Sequence, residues 1–439
     1  MLAALATRAP YFGHPAADYD EQLYSLIGAQ WANGLLPYTD LWDRKPPGLF
    51  LLFAAAHAVG GDSPLSYQLL AAFACLIGGW QVWRLALRTT EPGTAALAAS
   101  LYPVLMALLD IHSGQSEIFF VPVLMAMAQL LLAASERPLT RARGLCLAAM
   151  AAGGIALQIK YTVLAQCLFF GLCALWLLRR KGRGNAGLLA DAALFGFLGI
   201  LPTLLAAGAF AAKGHLDDFV YANFVSSGLR GVMPWSLVWL DQLALAVPQL
   251  ALLAVGALAV WRSGGWGAFP YWRLTLAWFG AAVLGLFMVR TIYPYYYAAL
   301  VPPAILAAVP MFSRPRIGLA AWAVFFLGML AGYNPVERFF WARDEQQVLG
   351  AMTIAIAPHV SAGSHCLYVF DGPTALYRLT GSGLPTRFIY PDHLNNALEA
   401  HALPVDPARE IERIFAQRPG AVVTSLDPVT VQNPKTNEI

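Results

Sequence analysis

Apolar residues fall in long blocks along this chain, separated by short polar or basic connections. The blocks cover residues 65–88, 92–110, 117–135, 144–160, 162–179, 187–212, 236–261, 272–290, 295–312 and 317–333. A helix that crosses a bilayer needs about 20 predominantly apolar residues, so each block predicts a membrane span. The opening MLAALATRAPYF has too short an apolar core for a signal peptide and no small-residue cleavage site. It reads as the stub of a first span whose beginning is missing, which brings the total to about eleven. The stretch 46–61, PPGLFLLFAAAHAVGG, is apolar but short for a full crossing.

Basic residues decide how to treat that stretch. The strongest basic connections are Arg84 with Arg88, then Arg137, Arg141 and Arg143, then Arg179, Arg180, Lys181 and Arg183, then Arg262 with Arg273, then Arg314 with Arg316. Cytoplasmic loops carry excess Lys and Arg. If 46–61 crosses, the first connection falls opposite the other four; if it only dips into the interface, all share one side. Residues 12–63 therefore read as one long external loop, with an amphipathic helix near 21–33 and a re-entrant or interfacial helix at 46–60. A tilted full span is the alternative. The other side then collects Asp18, Asp20, Glu21, Asp40, Asp43, Lys45, Asp110, Glu117, Lys160, Asp217, Asp218, Arg230 and Arg290. Acidic residues contribute little to orientation, so function is a candidate cause of their gathering.

The pattern changes near residue 334. Segment 334–439 has charges, prolines and turn signals, and SHCLYVFDG, TRFIY and GAVVTSL read as short strands. PAREIERIFAQR reads as an amphipathic helix with Ile411, Ile414 and Phe415 on one face. Two domains are expected: a transmembrane catalytic body at 1–333 and a small external α/β domain at 334–439.

Composition agrees with the pattern. Of 439 residues, 58% are hydrophobic and 12% charged, against about a quarter charged in average globular domains. Such a chain is neither disordered nor an ordinary soluble protein; lipid is the solvent that tolerates this much apolar surface. The net charge of +3 is too small to suggest a nucleic-acid partner. Five cysteines show no zinc or disulfide spacing.

The first loop holds the densest chemistry. Asp18, Asp20 and Glu21 precede a helix. An acidic N-cap accounts for such residues, and so does a general base at the water–lipid boundary. Lys45 stands before Pro46 and Pro47, and Pro suits a helix's first turn. A cation at that end opposes the helix dipole, yet the same arrangement suits a phosphate. Snorkelling of Arg44 and Lys45 to headgroups is the plainer alternative. Lys160 at a span end also reads as an anchor, the Tyr293–Tyr297 run as an interfacial belt, and Asp110 and Glu117 as turn caps. Arg290 on the external side runs against the charge bias and favours an anionic partner. External cations would stabilise charge growing on a lipid phosphate, while a carboxylate takes the proton of an attacking hydroxyl. No metal is required: no DxD stands in an external loop, and no His/Asp cluster is apparent.

Asp20-Glu21, Lys45-Pro46-Pro47, Lys160 after the fifth span, and Arg290 followed by Tyr293-Pro294-Tyr295-Tyr296 and Pro302-Pro303 resemble, in order and spacing, the GT-C glycosyltransferases. The resemblance is to the bacterial relatives of protein O-mannosyltransferases and of the lipid A aminoarabinose transferase, over roughly residues 1–333. It implies a polytopic all-α fold and a multi-pass protein of the bacterial inner membrane, with its active site and C-terminus on the periplasmic side. It also implies an inverting transferase that takes a sugar from a polyprenyl-phosphate donor and needs no cofactor. By position, Asp20 is the implied base, with Glu21 supporting it or contacting the acceptor. Lys45, Lys160 and Arg290 are implied on the donor phosphate, with Glu117 in the acceptor or sugar pocket. Asp110, Tyr293, Tyr295 and Tyr296 are candidates for that pocket too, and Tyr295 stands where relatives often have His. The acceptor is left as a glycolipid, a polysaccharide or a protein hydroxyl, and a monomer surrounded by membrane lipid is expected. Two other classes compete: a flippase for lipid-linked sugars or another transporter, and a scaffold presenting the C-terminal domain. Charges clustered at one face, rather than deep within broken helices, favour the transferase.

Overall fold

A computed structural model describes every residue except 266–270, 289–292 and 429; of 235–237 it describes the backbone alone. The fold is mostly helical and polytopic, and the chain divides into two compact units.

The first unit comprises Met1–Pro10, Leu70–Leu205 and Ser236–Arg338. Its helices include Pro92–Leu108, Ser116–Ser135, Leu139–Leu157, Leu164–Arg180, Trp272–Leu286, Val301–Phe312 and Gly318–Tyr333. They match the predicted spans within a few residues. Across the chain, seven described helices are long and apolar enough to cross a membrane, and Pro47–Gly60, Pro92–Leu108 and Trp272–Leu286 are shorter apolar helices. The predicted stub 1–12 contains only one short α-helix, Leu2–Ala6, and a 3-10 turn at Ala9–Tyr11.

Close packing of this unit relies on small residues. A Cβ at Gly78 would fall 2.4 Å from the Tyr102 ring, so glycine lets these helices approach. Many outward side chains stay apolar, among them Leu168, Leu172, Trp176 and Leu284, each more than half exposed. Lipid, not water, suits that surface.

All five basic connections meet at one end of this unit. The Lys181 ammonium donates to the Ser135 and Arg137 carbonyls at 2.9 and 2.6 Å. Arg143 and Arg183 share Asp191, Arg88 pairs with Glu136, and the Thr90 and Ser313 hydroxyls meet at 2.7 Å. The connections carrying Asp110, Glu117 and Lys160 lie at the opposite end of the same helices. This is the distribution that charge counting predicts.

The second unit comprises Tyr11–Leu69, Ala206–Trp235 and Phe339–Ile439. The two helices expected in the first loop are present, as Tyr19–Ala32 and Pro47–Gly60. Asp18 caps the former, its Oδ1 accepting from the backbone N–H groups of Asp20 and Glu21 at 3.0 and 3.2 Å. The latter starts on Pro47, whose missing N–H costs nothing there. The two helices pack tightly at Gly28, where a Cβ would lie 2.8 Å from the Ala54 nitrogen.

Two of the three expected C-terminal strands form, Leu367–Val369 and Ala421–Val423, paired in parallel. TRFIY does not form a strand: the Arg387 carbonyl instead accepts from the Trp42 N–H at 2.9 Å, so this segment bonds to the first loop. Pro407–Ala416 is the expected helix, with Ile411 and Ile414 fully buried. Phe415, expected on the same face, is 40% exposed at its edge. The helix Pro335–Ile356 has no counterpart in the sequence reading, because its charged residues hide its periodicity. Trp42 completes a core with Tyr368, Phe388, Leu394, Leu403, Ile411 and Ile414.

Candidate active site

In the second unit, Asp20 lies one residue inside the helix that Asp18 caps. With the cap filled by Asp18, the Asp20 carboxylate points elsewhere. Tyr24, one turn on, donates its phenol to Asp20 Oδ2 at 2.9 Å. Tyr390 donates to Oδ1 at 3.2 Å. The Lys45 ammonium lies 3.8 Å from Oδ2 and 5.0 Å from the Tyr24 ring centre. The Asp20 and Lys45 side chains keep 15% and 20% of their surface exposed. A carboxylate, an ammonium and two phenols thus meet in a partly open setting. Glu21 is fully buried and accepts from the Gln68 amide at 3.2 Å; that amide also donates to the His14 carbonyl at 2.9 Å.

Further charges surround this group. Glu399 accepts from Arg44, one bond at 2.9 Å and a second from the other nitrogen, and it pairs with Arg230. Burial pushes the Glu399 carboxyl up, but the two guanidiniums outweigh it and hold it below its ordinary value. Arg44 is therefore spent on an internal pair rather than snorkelling, and it also covers the Trp42 ring at 5.0 Å. Asp43 is buried; burial pushes its carboxyl up against the pull of Lys45 and Arg44, and its Oδ2 has no hydrogen-bond partner among the described residues. Asp392 is pushed up to about 6 by burial and then by Glu399 and Asp20. His393 stands edge-on to Trp42 at 4.7 Å. Burial and the nearby Arg44, Lys45 and Arg230 push it well below its ordinary value.

In the first unit a different group forms. Lys160, 5% exposed, ion-pairs with Glu117, 1% exposed. Glu117 opens the Ser116–Ser135 helix and its second oxygen accepts from the Ser116 hydroxyl at 2.9 Å. The Lys160 ammonium sits 4.2 Å from the Tyr296 ring centre and 5.4 Å from that of Tyr295. Tyr293 stacks on Tyr295 at 5.4 Å, and Tyr296 stands edge-on to Tyr295 at 4.9 Å. A cavity of about 20 Å³ lies against Glu117, Gln166 and Tyr296. It has room for a water and none for a phosphate. Asp110 adopts a left-handed backbone, φ 59°, and accepts from Arg338 at 3.2 Å. Burial raises its carboxyl against the pull of that guanidinium.

Residues 44–205 match the family described as dolichyl-phosphate-mannose-protein mannosyltransferase. The fold matches that of ArnT from Cupriavidus metallidurans bound to undecaprenyl phosphate, with 15% identity, a TM-score of 0.61, and 87% of this chain and 84% of that chain covered. The apo form of the same protein matches at a TM-score of 0.64, with 15% identity over 87% of this chain and 83% of that one. This chain shares the fold of ArnT. No curated protein matches it significantly in sequence.

Against the residues named for a GT-C site, the structure brings Asp20 and Lys45 together and sets Glu21 apart, turned to Gln68. It joins Lys160 to Glu117, two residues assigned to separate roles, and sets Tyr295 and Tyr296 over them. Tyr293 meets that group through its ring contacts with the other two tyrosines. Asp110 is held by Arg338. Arg290 lies outside the described residues. No group of three or more His, Cys, Asp or Glu side chains suited to a metal occurs among the described residues. The sequence reading passed over Tyr24, Tyr390, Asp392, His393 and the Arg44–Glu399–Arg230 triad. Tyr24 was findable, being four residues from Asp20 on a predicted helix. Tyr390 was not, since 370 residues separate it from Asp20.

Proposed function

We propose that this protein is a GT-C inverting glycosyltransferase of a bacterial inner membrane, acting on its external side with a sugar linked to a polyprenyl phosphate. The observation that carries the proposal is the placement of Asp20 against Lys45 and two phenols, in a partly open setting, within a GT-C fold. In this reading the acceptor hydroxyl attacks the anomeric carbon as Asp20 takes its proton. The bond from the anomeric carbon to the phosphate oxygen breaks, and polyprenyl phosphate leaves with the electron pair. Lys45 stabilises the charge that grows on that phosphate. The resemblance adds Arg290 and Lys160 as further cations for the phosphate, and Glu117 and the tyrosines for the sugar or acceptor. The acceptor is an envelope glycolipid, a polysaccharide or a protein hydroxyl.

The test uses purified enzyme with a polyprenyl-phosphate sugar and envelope extract, read by mass spectrometry. Asp20→Asn is expected to abolish transfer while leaving expression and donor binding intact. Lys45→Ala is expected to weaken donor binding most. Wild-type turnover in Asp20→Asn would rule out the base assignment. Movement of the lipid-linked sugar across vesicles without a new glycoside would favour a flippase instead.

A further inference from the structure

The first unit holds a large cavity that the transfer chemistry does not use. Its volume is about 740 Å³, and its walls are the basic ends of several helices. Leu85 ends the Pro64–Ala86 helix and Arg88 and Thr89 follow it; Leu131 and Ser135 end the Ser116–Ser135 helix; Phe169 and Trp176 lie on Leu164–Arg180; Tyr271 caps Trp272–Leu286, which adds Arg273 and Trp278. A second cavity of about 370 Å³ shares Leu85, Arg88 and Leu132 with it and adds Trp80 and Arg84. Arg88 thus stands between two apolar hollows.

The chemistry changes along the helices. Their ends bring Arg88, Arg273 and Tyr271 to the cavity wall; further along the helices the lining is Ala128, Leu131, Phe169 and Leu306. The Arg180 guanidinium lies 5.3 Å from the Trp176 ring and that of Arg84 5.5 Å from Trp80. Three guanidiniums, those of Arg84, Arg88 and Arg273, therefore line the two hollows, and Glu136 pairs with Arg88. Excess positive charge, interfacial aromatics and an apolar interior together match an amphiphile with a negative head.

This site is not the place for the donor phosphate. Glu117, which holds Lys160, opens the helix that Ser135 closes. Eighteen residues at 1.5 Å rise separate these ends by about 27 Å, which is nearly the hydrocarbon thickness of a bilayer.

We propose that the cavity holds an anionic glycerophospholipid of the basic-side leaflet, its phosphate at Arg88 and Arg273 and an acyl chain among Leu131, Phe169 and Leu306. The second hollow takes the other chain, so the lipid straddles Arg88. The site is independent of the glycosyltransferase reading and stands or falls without it.

The test is native mass spectrometry of the whole protein reconstituted with defined lipids. With phosphatidylglycerol in the mixture, one lipid per chain is expected to survive detergent release, and phosphatidylcholine at equal excess is expected not to. Arg273 is exposed, and Arg273→Gln, checked for an unchanged melting temperature, is expected to lower retention about fivefold, the share of one basic residue near an anionic surface. Glu136→Gln is expected to raise it, and Cys173→Trp, which fills the cavity, to lower it. Equal retention of phosphatidylcholine, or no change in Arg273→Gln, overturns the proposal. So does one-for-one displacement of phosphatidylglycerol by polyprenyl phosphate, which would assign the cavity to the donor's tail.

Discussion

Two phenols converge on the Asp20 carboxylate, one from each side. They fix the direction of its lone pairs before any acceptor arrives, which is what a general base requires. With Asp20 as the proposed base, Tyr390 is a proposed positioning residue. Tyr390→Phe removes one hydrogen bond worth about 0.5–1.5 kcal/mol. The expected result in steady-state kinetics is a two- to tenfold drop in kcat, by that same conversion, with the donor KM unchanged. A merely structural role would move thermal stability and both constants instead. Asp392 shows the opposite balance, because burial, Glu399 and Asp20 raise its carboxyl to about 6. Its folded pKa exceeds the unfolded value near 3.9, so the native state holds the proton more tightly. Its contribution to stability therefore falls as pH rises from about 4 to about 6, and above that it costs about 2–3 kcal/mol. Asp392→Asn is expected to melt at the same temperature as wild type below pH 4 and higher at pH 7, as thermal scans in detergent would measure. Glu399, lowered by its arginines, works the other way and loses its contribution on acidification.

The helices Tyr19–Ala32 and Pro47–Gly60 carry Asp20 at the start of one and Lys45 just before the other. Their mutual position therefore sets the distance between the proposed base and the proposed phosphate cation. Gly28 permits that position, since a Cβ there would strike the Ala54 nitrogen at 2.8 Å and the Phe53 Cβ at 2.9 Å. Backbone cannot rotate aside as a side chain does, and overpacking costs about 1–3 kcal/mol. Gly28→Ala is expected to lower both the melting temperature and the transfer rate. Gly93→Ala, at a site with nothing within 4 Å, is expected to leave both unchanged, so equal behaviour of the two variants in parallel assays would refute this account. The two prolines before residue 48 end the extended stretch of the loop and start the second helix without an unsatisfied N–H.

At the scale of the whole molecule, each unit concentrates one kind of chemistry. The first has a buried Lys160–Glu117 pair under tyrosines at one end and five basic connections at the other. The second is built from three separate stretches of chain. Trp42 from the first loop completes the core of the C-terminal segment, and Arg44 reaches Glu399 there. That shared core is what brings Tyr390 to Asp20. The C-terminal segment is thus part of the setting of the proposed base rather than an appendage.

Much of this was determined by the sequence alone. Runs of apolar residues near bilayer length fixed the spans, because an unpaired backbone polar group is prohibitively costly in lipid. The one-sided placement of arginines marked one end of the first unit's helices, and Asp18, Pro46 and Pro47 marked where the first-loop helices begin. These are local signals, and local physics suffices to read them. Which carboxylates and cations meet was decided by tertiary structure. Lys160 looked like a free cation until Glu117, forty-three residues away, was found against it. Arg44 looked like a headgroup anchor until Glu399 was found 355 residues away. Charge pairing depends on distance in space, and sequence spacing reports that distance only within one helix or turn.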